Sequence, residues 1–290
     1  MHPNVESFYD QATSTFTHVV YDGDGGHAAI VDPVLGFDPS TARTSAAPAD
    51  RVLAFVHQHR LIVDWILETH AHADHLTAAA YLKGKTGGKV AIGGGITQVQ
   101  ERFKILFGLE PDFPADGSQF DRLFADGDTF AFGALEARVI ATPGHTDDSL
   151  TYVIGDAAFV GDTVFAPDTG TARADFPGGD ARKLYRSIRR LFELPPQTRL
   201  FLCHDYPPAE RAACSQSPLD EQREHNVHVG RDADEDTFVT MRTARDATLA
   251  APRLILPALQ VNIRAGELPP PDPNGIRYLR LPLDQIGGAK

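Results

Sequence analysis

Short apolar runs alternate with polar stretches that contain Gly, Pro or Asp along most of this chain. Runs that are rich in Ile and Val and bounded by such turn residues predict β-strands. We expect strands at residues 16–21, 27–31, 61–67, 89–92, 121–124, 129–132, 135–141, 150–154, 157–160 and 199–202. Apolar residues at helical spacing predict helices at residues 48–60, 77–83, 97–107, 180–192 and 238–249. This mixture of elements predicts an α+β fold.

The C-terminal part of the chain differs in composition from the rest. A polar, charged segment begins near residue 215, and the three consecutive prolines Pro269 to Pro271 follow further on. Proline has a fixed φ and no backbone donor, so this run predicts an extended stretch and excludes a helix interior. We therefore divide the chain into a main domain over residues 1–215 and a C-terminal extension over residues 216–290 that packs on it.

Charge and composition narrow the classes of function. The chain has 290 residues, a formal net charge of -12 and only two cysteines. An acidic chain without a basic patch argues against a nucleic-acid partner. Residues 1–10 lack the apolar core of a signal peptide, and no apolar run reaches the roughly 20 residues that span a bilayer. We expect a cytoplasmic protein that acts on a small molecule, without a disulfide framework, and the sequence leaves a homodimer or higher oligomer open.

Three histidines and an aspartate lie directly after the predicted strand at residues 61–67. They are His70, His72, Asp74 and His75, at the spacing HxHxDH. Open sheets place their ligands at the carboxyl ends of strands. Imidazoles and carboxylates are ligands of catalytic transition metals. A single histidine would be interpreted as a surface or capping residue, but four such residues at this spacing predict a metal site.

Three further candidate ligands follow other predicted strands. His145 lies in a Pro-Gly-His-Thr string, Asp162 follows Gly161, and His204 follows the strand at residues 199–202. Each string alone is common in loops. In this order after HxHxDH, the set over residues 70–204 resembles the metallo-β-lactamase fold superfamily. The resemblance implies an αββα sandwich with a C-terminal extension.

The ligand set allows either one metal or two. In a two-metal site, Asp162 would bridge two sets of ligands: His70, His72 and His145, and Asp74, His75 and His204. Two metals about 3.5–4 Å apart would hold a hydroxide for hydrolysis of a thioester, lactone or phosphoester. A single iron held by two histidines and one carboxylate keeps positions open for dioxygen and substrate, as in oxygenases. The spacing favours neither arrangement.

Longer segments resemble the persulfide dioxygenases, also called sulfur dioxygenases, of this superfamily, and most closely the longer bacterial type. These segments are residues 4–10, 169–176, 184–188, 204–206 and 221–227. The resemblance implies one Fe(II) per chain, held by His70, His145 and Asp162. It also implies that Arg173 and Tyr206 bind substrate. The remaining members of the ligand set would orient the iron ligands and water: His72, Asp74, His75 and His204.

The resemblance implies oxidation of glutathione persulfide, or of a similar low-molecular-weight persulfide, by dioxygen and water to sulfite and thiol. The chain departs from the shorter, mitochondrial-like members around Arg173 and at Asp147, which leaves the thiol carrier open. Arg173 could instead form a structural salt bridge with Asp175 or Asp180. Two other functions remain. One is a dinuclear zinc hydrolase of the glyoxalase II or lactonase type, and the other is a non-catalytic metal-binding or redox-sensing module.

Overall fold

A computed structural model describes residues 2–231 and 233–285, within which fifteen strands and seven helices are found. The strands are Asn4–Asp10 (β1), Thr15–Tyr21 (β2), His27–Val31 (β3), Val34–Asp38 (β4), Arg43–Ser45 (β5), Ile62–Leu67 (β6), Leu76–Thr77 (β7), Lys89–Gly93 (β8), Arg122–Phe124 (β9), Thr129–Phe132 (β10), Leu135–Ala141 (β11), Leu150–Ile154 (β12), Ala157–Phe159 (β13), Arg199–Phe201 (β14) and Gln216–Pro218 (β15). The helices are Ala47–Gln58 (α1), Ala79–Thr86 (α2), Ile96–Phe107 (α3), Ala181–Leu191 (α4), Leu219–His225 (α5), Glu235–Asp246 (α6) and Ile255–Asn262 (α7).

Two six-stranded sheets form the centre of the molecule. The first has the order β1-β2-β3-β6-β8-β9 and the second the order β10-β11-β12-β13-β14-β15. Strands β3, β6, β8 and β9 run parallel to one another, and β13 runs parallel to β14. The other neighbouring strands of the two sheets are antiparallel. A third, small sheet contains β5, β4 and β7. The parallel strands bring the loops that follow them to the same edge of a sheet, where ligands usually bind.

Apolar residues alternate between the two faces of each sheet and so produce three apolar layers. Val19 packs in the layer that contains α1, α2 and α3, whereas Val20 packs in the layer between the sheets with Val139 of β11. The next residue of β11, Ile140, packs with Leu184 of α4. A period of two is expected for strands that are covered on both faces. The layers therefore have the order helix, sheet, sheet, helix, which confirms the predicted αββα sandwich.

Most of the predicted elements are present, with differences at their ends. The segments at residues 16–21 and 27–31 form the antiparallel pair β2 and β3. The turn at residues 126–128 connects β9 of the first sheet to β10 of the second. Helix α2 begins at Ala79 rather than at Thr77, because Thr77 pairs with Val34 in the small sheet. Strand β1 was not predicted, since its residues alternate between exposed and partly buried at the edge of the first sheet.

The segment after residue 215 contacts the sandwich at several places. Strand β15 extends the second sheet beside β14, α6 packs on α4, and α7 packs against β7 and α3. Residues 269–273 are neither helix nor strand, as the consecutive prolines require. None of the helices in the described residues is long and apolar enough to cross a membrane. The division at residue 215 stays a prediction, and the three residues that follow it add the edge strand β15 to the second sheet.

Candidate metal centre

The seven candidate ligands lie in four loops that the two sheets bring together. The loop after β6 carries the HxHxDH residues, His145 follows β11, Asp162 follows β13, and His204 follows β14. All are buried except Asp74, whose side chain is 24% exposed. Loops from both sheets thus contribute to one site, and the structure assembles every predicted ligand in it.

The ligands form two adjoining clusters. The first cluster consists of His70, His145 and Asp162, and one ligand atom of each residue lies within 4.8 Å of those of the other two. The same holds in the second for His72, Asp74, His75 and His204. Asp162 lies between them, because its Oδ2 is 3.5 Å from Nε2 of His145 and its Oδ1 is 3.4 Å from Nε2 of His204. The first cluster has the composition of a two-histidine, one-carboxylate site, and Asp162 can also reach the second.

Hydrogen bonds to backbone carbonyls determine which ring nitrogen is free in two of the histidines. Nδ1 of His145 lies 2.7 Å from the carbonyl oxygen of Arg173. Nδ1 of His204 lies 3.1 Å from the carbonyl oxygen of Ser14. A carbonyl oxygen only accepts, so each Nδ1 donates a proton, and the lone pair of each neutral ring lies on Nε2. Both Nε2 atoms are therefore able to bind a metal.

Asp32, which follows β3, orients two other histidines. Its carboxylate accepts hydrogen bonds from the backbone N–H of Thr69 at 2.7 Å and from the Thr69 hydroxyl at 2.9 Å. Because that hydroxyl has used its proton, it accepts from Nδ1 of His70, 3.1 Å away. Asp32 also accepts from Nε2 of His72 at 2.9 Å. Nε2 of His70 and Nδ1 of His72 are therefore the nitrogens that remain free to bind a metal. Hydrogen-bond partners such as Asp32 and Thr69 strengthen metal binding because they fix the orientation of the histidine rings.

Six buried polar atoms of the two clusters have no hydrogen-bond partner within the part of the chain that the structure describes. They are His70 Nε2, His72 Nδ1, His75 Nε2, His204 Nε2, Asp74 Oδ2 and Asp162 Oδ1. An unpaired buried donor or acceptor costs about 1–3 kcal/mol, so a group of six requires an explanation. They include three of the four nitrogens that the hydrogen bonds leave free, those of His70, His72 and His204. This donor set fits one or two divalent transition metals.

Burial and neighbouring charges also favour metal binding. Burial, together with the adjacent imidazoles, lowers the pKa of His70 and of His72 well below the usual value, so both rings are neutral at neutral pH. Burial raises the pKa of Asp162. Burial opposes the charged form of His204, but the carboxylates of Asp74 and Asp162 raise its pKa. A cation at this position would replace the proton of His204 in compensating the two carboxylates.

Two glycines allow the ligand loops to approach their neighbours. Gly144 has φ 141°, and a Cβ at this position would lie 2.2 Å from the backbone nitrogen of Leu184 in α4. Gly161 has φ 51°, and its Cβ would lie 2.6 Å from Oγ1 of Thr69. A larger residue would be strained in either place and would displace the following ligand. The glycines of the two loop strings are therefore needed to position His145 and Asp162.

Asn262, at the end of α7, binds the loop after β6 that carries the HxHxDH residues, which we call the metal loop. Its Nδ2 donates to the carbonyl oxygens of His72 and His75, both at 2.8 Å, and its Oδ1 accepts from the backbone N–H of Thr77 at 2.8 Å. The sequence analysis missed this residue, because no motif or spacing marks it. Asp32 was also missed, although it directly follows a predicted strand, as the ligands do. Both residues position the loop and do not enter either cluster.

A cavity of about 480 Å³ lies beside the metal centre, a volume that is typical of small-molecule sites. Asp74, His145 and Asp162 lie in its wall, together with the predicted substrate residue Tyr206. The ring of Tyr206 is half exposed and stacks on the ring of His204, with the centroids 5.9 Å apart. A ligand in this cavity would contact the first cluster through His145 and Asp162.

Arg173, the other predicted substrate residue, also lines the cavity. Its Nε and Nη2 donate to the carboxylate of Asp175 at 2.6 and 2.8 Å, and its Nη1 donates to the carbonyl oxygen of Ala250 at 2.6 Å. Three of its five N–H groups are therefore in use. The alternative partner Asp180 instead caps the N-terminus of α4. The salt bridge to Asp175 is present, and the contact of Arg173 with substrate stays a prediction.

Comparisons with known proteins agree with this geometry. A family model described as the metallo-beta-lactamase superfamily matches residues 12–204. A probable metallo-hydrolase from Burkholderia pseudomallei is 53% identical over 292 aligned positions, which cover 97% of this chain and 99% of that protein. The mitochondrial persulfide dioxygenase ETHE1 of Homo sapiens is 28% identical, with 90% of this chain and 88% of that protein covered. The crystal structure of ETHE1 from Myxococcus xanthus matches with a TM-score of 0.73 and 29% identity, over 91% of this chain and 100% of that one.

Proposed function

This chain belongs to the metallo-β-lactamase superfamily, and we propose that it is an iron-dependent persulfide dioxygenase. The substrate is glutathione persulfide or a similar low-molecular-weight persulfide. One persulfide, one dioxygen and one water give one thiol, one sulfite and two protons. The bond between the two sulfurs breaks and the outer sulfur is oxidised to sulfite. Dioxygen accepts the electrons that this sulfur loses.

The observation that carries this proposal is the composition and position of the first cluster. His70, His145 and Asp162 provide two imidazoles and one carboxylate, the set that holds Fe(II) in non-haem oxygenases. His145 and Asp162 also lie in the wall of the cavity. Substrate in the cavity can therefore reach a metal in this cluster without rearrangement of the protein.

Fe(II) in this cluster would supply the redox chemistry and the open positions at which dioxygen and the outer sulfur meet. The contribution of the chain is to position the metal ligands. The hydrogen bonds to Asp32, through Thr69, and to the carbonyl of Arg173 fix the two histidines. Tyr206 stacks on the ring of His204 in the second cluster. The cavity wall contains two residues of the first cluster, His145 and Asp162, and one of the second, Asp74.

The comparisons support this proposal in part. The relatives named persulfide dioxygenase and ETHE1 match nearly the whole chain at 28 and 29% identity. The relative with 53% identity is named a probable metallo-hydrolase. That name indicates hydrolysis, so the choice between oxidation and hydrolysis rests on the metal.

A dinuclear zinc hydrolase is the second candidate, and one observation favours it. The second cluster offers a complete set of ligands, and Asp162 has one oxygen near each cluster, as a bridging carboxylate would. Two metals held in this way would activate a hydroxide for cleavage of a thioester such as S-lactoylglutathione.

Metal analysis of protein purified without added metal separates the two candidates. We expect about one iron per chain in the wild type, and almost none in the His145→Ala variant, because two protein ligands would remain. His57→Ala is a matched control, since His57 is an exposed histidine of α1. About two zinc per chain, lost together when His145 is removed, would favour the hydrolase instead.

A further inference from the structure

Four arginines line the cavity beside the metal centre, although the chain as a whole has a formal net charge of -12. They are Arg173, Arg242, Arg245 and Arg253. A concentration of positive charge inside a cavity of an acidic protein favours an anionic ligand and raises its local concentration. The four differ in how many of their donors the protein itself uses.

Two of the four arginines form salt bridges and hydrogen bonds with other residues of the chain. Arg173 donates to Asp175 and to the carbonyl oxygen of Ala250. Arg242 is buried, and its guanidinium contacts Asp246 at 2.6 and 2.8 Å and the carbonyl oxygen of Thr171 at 3.1 Å. These bonds tie α6 and the segment after it to the loop that carries Arg173.

The other two arginines are exposed and have no carboxylate partner in residues 2–231 and 233–285. Arg245 lies on α6, and Arg253 lies on the segment that joins α6 to α7. Their backbone is held in place nearby, because Asp246 accepts from the backbone N–H of Ala174 at 2.8 Å and Leu254 is buried. Arg245 also acts on His228, which lies outside the cavity wall. The charge of Arg245 is one cause, after burial and Arg242, of the lowered pKa of His228, about 4.

The remaining wall of the cavity suits a ligand that is only partly charged. Phe165, Phe176 and Leu249 contribute apolar surface, while Asp74 and Asp162 at the metal centre would repel a carboxylate that is not bound to metal. A ligand with carboxylates therefore gains most by directing them to the free arginines and its uncharged part to the apolar wall. Glutathione has two carboxylates on a flexible tripeptide, and the cavity volume of about 480 Å³ is within the range for such ligands.

We infer that Arg245 and Arg253 bind the carboxylates of the thiol carrier, so that the segment after residue 215 selects which persulfide is oxidised. The oxidation of the persulfide in this inference rests on the proposed function, whereas the binding of the thiol carrier does not. Guanidinium groups pair with carboxylates through two parallel hydrogen bonds, which gives selectivity as well as affinity. Arg173 would then stabilise the loop around the site, with two N–H groups left for substrate.

Steady-state dioxygen uptake with two substrates tests the inference. With glutathione persulfide, we expect Arg245→Gln and Arg253→Gln each to raise KM about tenfold and the double variant about a hundredfold, while kcat and iron content stay unchanged. With the persulfide of 2-mercaptoethanol, which has no carboxylate, all variants should resemble the wild type. Arg245→Lys should recover part of the loss, because it restores the charge without the paired geometry. Arg189→Gln, an exposed arginine of α4 outside the cavity, is the control.

Calorimetry of reduced glutathione binding to metal-loaded protein without dioxygen separates this inference from the proposed reaction. Weaker binding by the double variant, with no dioxygen uptake by the wild type, would support the arginines and contradict the dioxygenase. Dioxygen uptake with an unchanged KM for glutathione persulfide in the double variant would overturn the inference and leave the dioxygenase standing. An equal rise in KM for both persulfides would also overturn it, since the arginines would then act on the cavity as a whole.

Discussion

Replacement of Asn262 by alanine tests how far the C-terminal segment controls the metal centre. The side chain makes three hydrogen bonds of 2.8 Å, two to carbonyl oxygens of the metal loop and one from the N–H of Thr77. Asn262 is 3% exposed, so the groups that lose their partner remain buried. It lies in neither ligand cluster. The variant therefore removes support from the loop and leaves all seven candidate ligands in the chain.

The expected magnitude follows from these three hydrogen bonds. At about 1 kcal/mol for each, Asn262→Ala should lower the free energy of unfolding of the metal-free protein by about 3 kcal/mol. Loss of a residue that orients metal ligands typically weakens metal binding by about 10–100-fold. Asn262→Asp should be at least as damaging, because it keeps the acceptor for Thr77 but places an oxygen opposite two carbonyl oxygens. The carbonyls belong to His72 and His75, so both ligands would be displaced.

Urea unfolding of the metal-free protein and competition for Fe(II) against a chromophoric chelator measure the two effects. Asn274→Ala is the control, since Asn274 is exposed and donates to the Tyr278 hydroxyl at the surface. It should change stability by less than about 0.5 kcal/mol. Wild-type stability and metal affinity in Asn262→Ala would refute the reasoning. Lost stability with unchanged metal affinity would show that the loop keeps its geometry without α7.

Three further predictions concern the ligands, the Arg173 pair and pH. His145→Ala should lose its iron on dialysis, whereas His204→Ala should retain most of it; equal losses measured by metal analysis would contradict a mononuclear site. Arg173→Ala and Asp175→Asn should be coupled by about 1 kcal/mol in the free energy of unfolding, and additive effects in the double-mutant cycle would show that the pair is not structural. Burial lowers the pKa of His18 to about 4, against 6.5 for an exposed histidine, so the unfolded state takes up the proton first as the pH falls. Metal-free wild type should therefore lose about 1.6 kcal/mol more than His18→Asn between pH 6.5 and 5, by urea unfolding; parallel curves would contradict this assignment.

The sequence was informative where function depends on neighbouring residues. The HxHxDH stretch and the single ligands His145, Asp162 and His204 each follow an apolar strand, and strand ends in such a sandwich lie at one edge. Their meeting in one site was therefore predictable from local patterns. The αββα layers were predicted from the resemblance, and the alternation of residues such as Val19 and Val20 agrees with them.

The sequence was uninformative where the contacts are distant along the chain. Asn262 lies 187 residues after His75, and no periodicity relates two positions so far apart. The free nitrogen of three histidines also depends on distant partners: the carbonyl of Ser14 for His204, the carbonyl of Arg173 for His145 and the carboxylate of Asp32 for His72. Arg173 shows the limit of a motif: its position near the site was predicted, but its bonds to Asp175 and to Ala250 became visible only in the structure.

Sulfite formation per dioxygen consumed is the most direct test of the proposed reaction. Metal-free protein would be loaded with one Fe(II) per chain without dioxygen, and glutathione persulfide would then be added with a known amount of dioxygen. We predict that one sulfite appears for each dioxygen consumed, and that the same protein hydrolyses S-lactoylglutathione very slowly. Absence of dioxygen uptake by the iron-loaded protein, with rapid hydrolysis of S-lactoylglutathione by the zinc-loaded protein, would contradict the dioxygenase and assign the site to a dinuclear hydrolase.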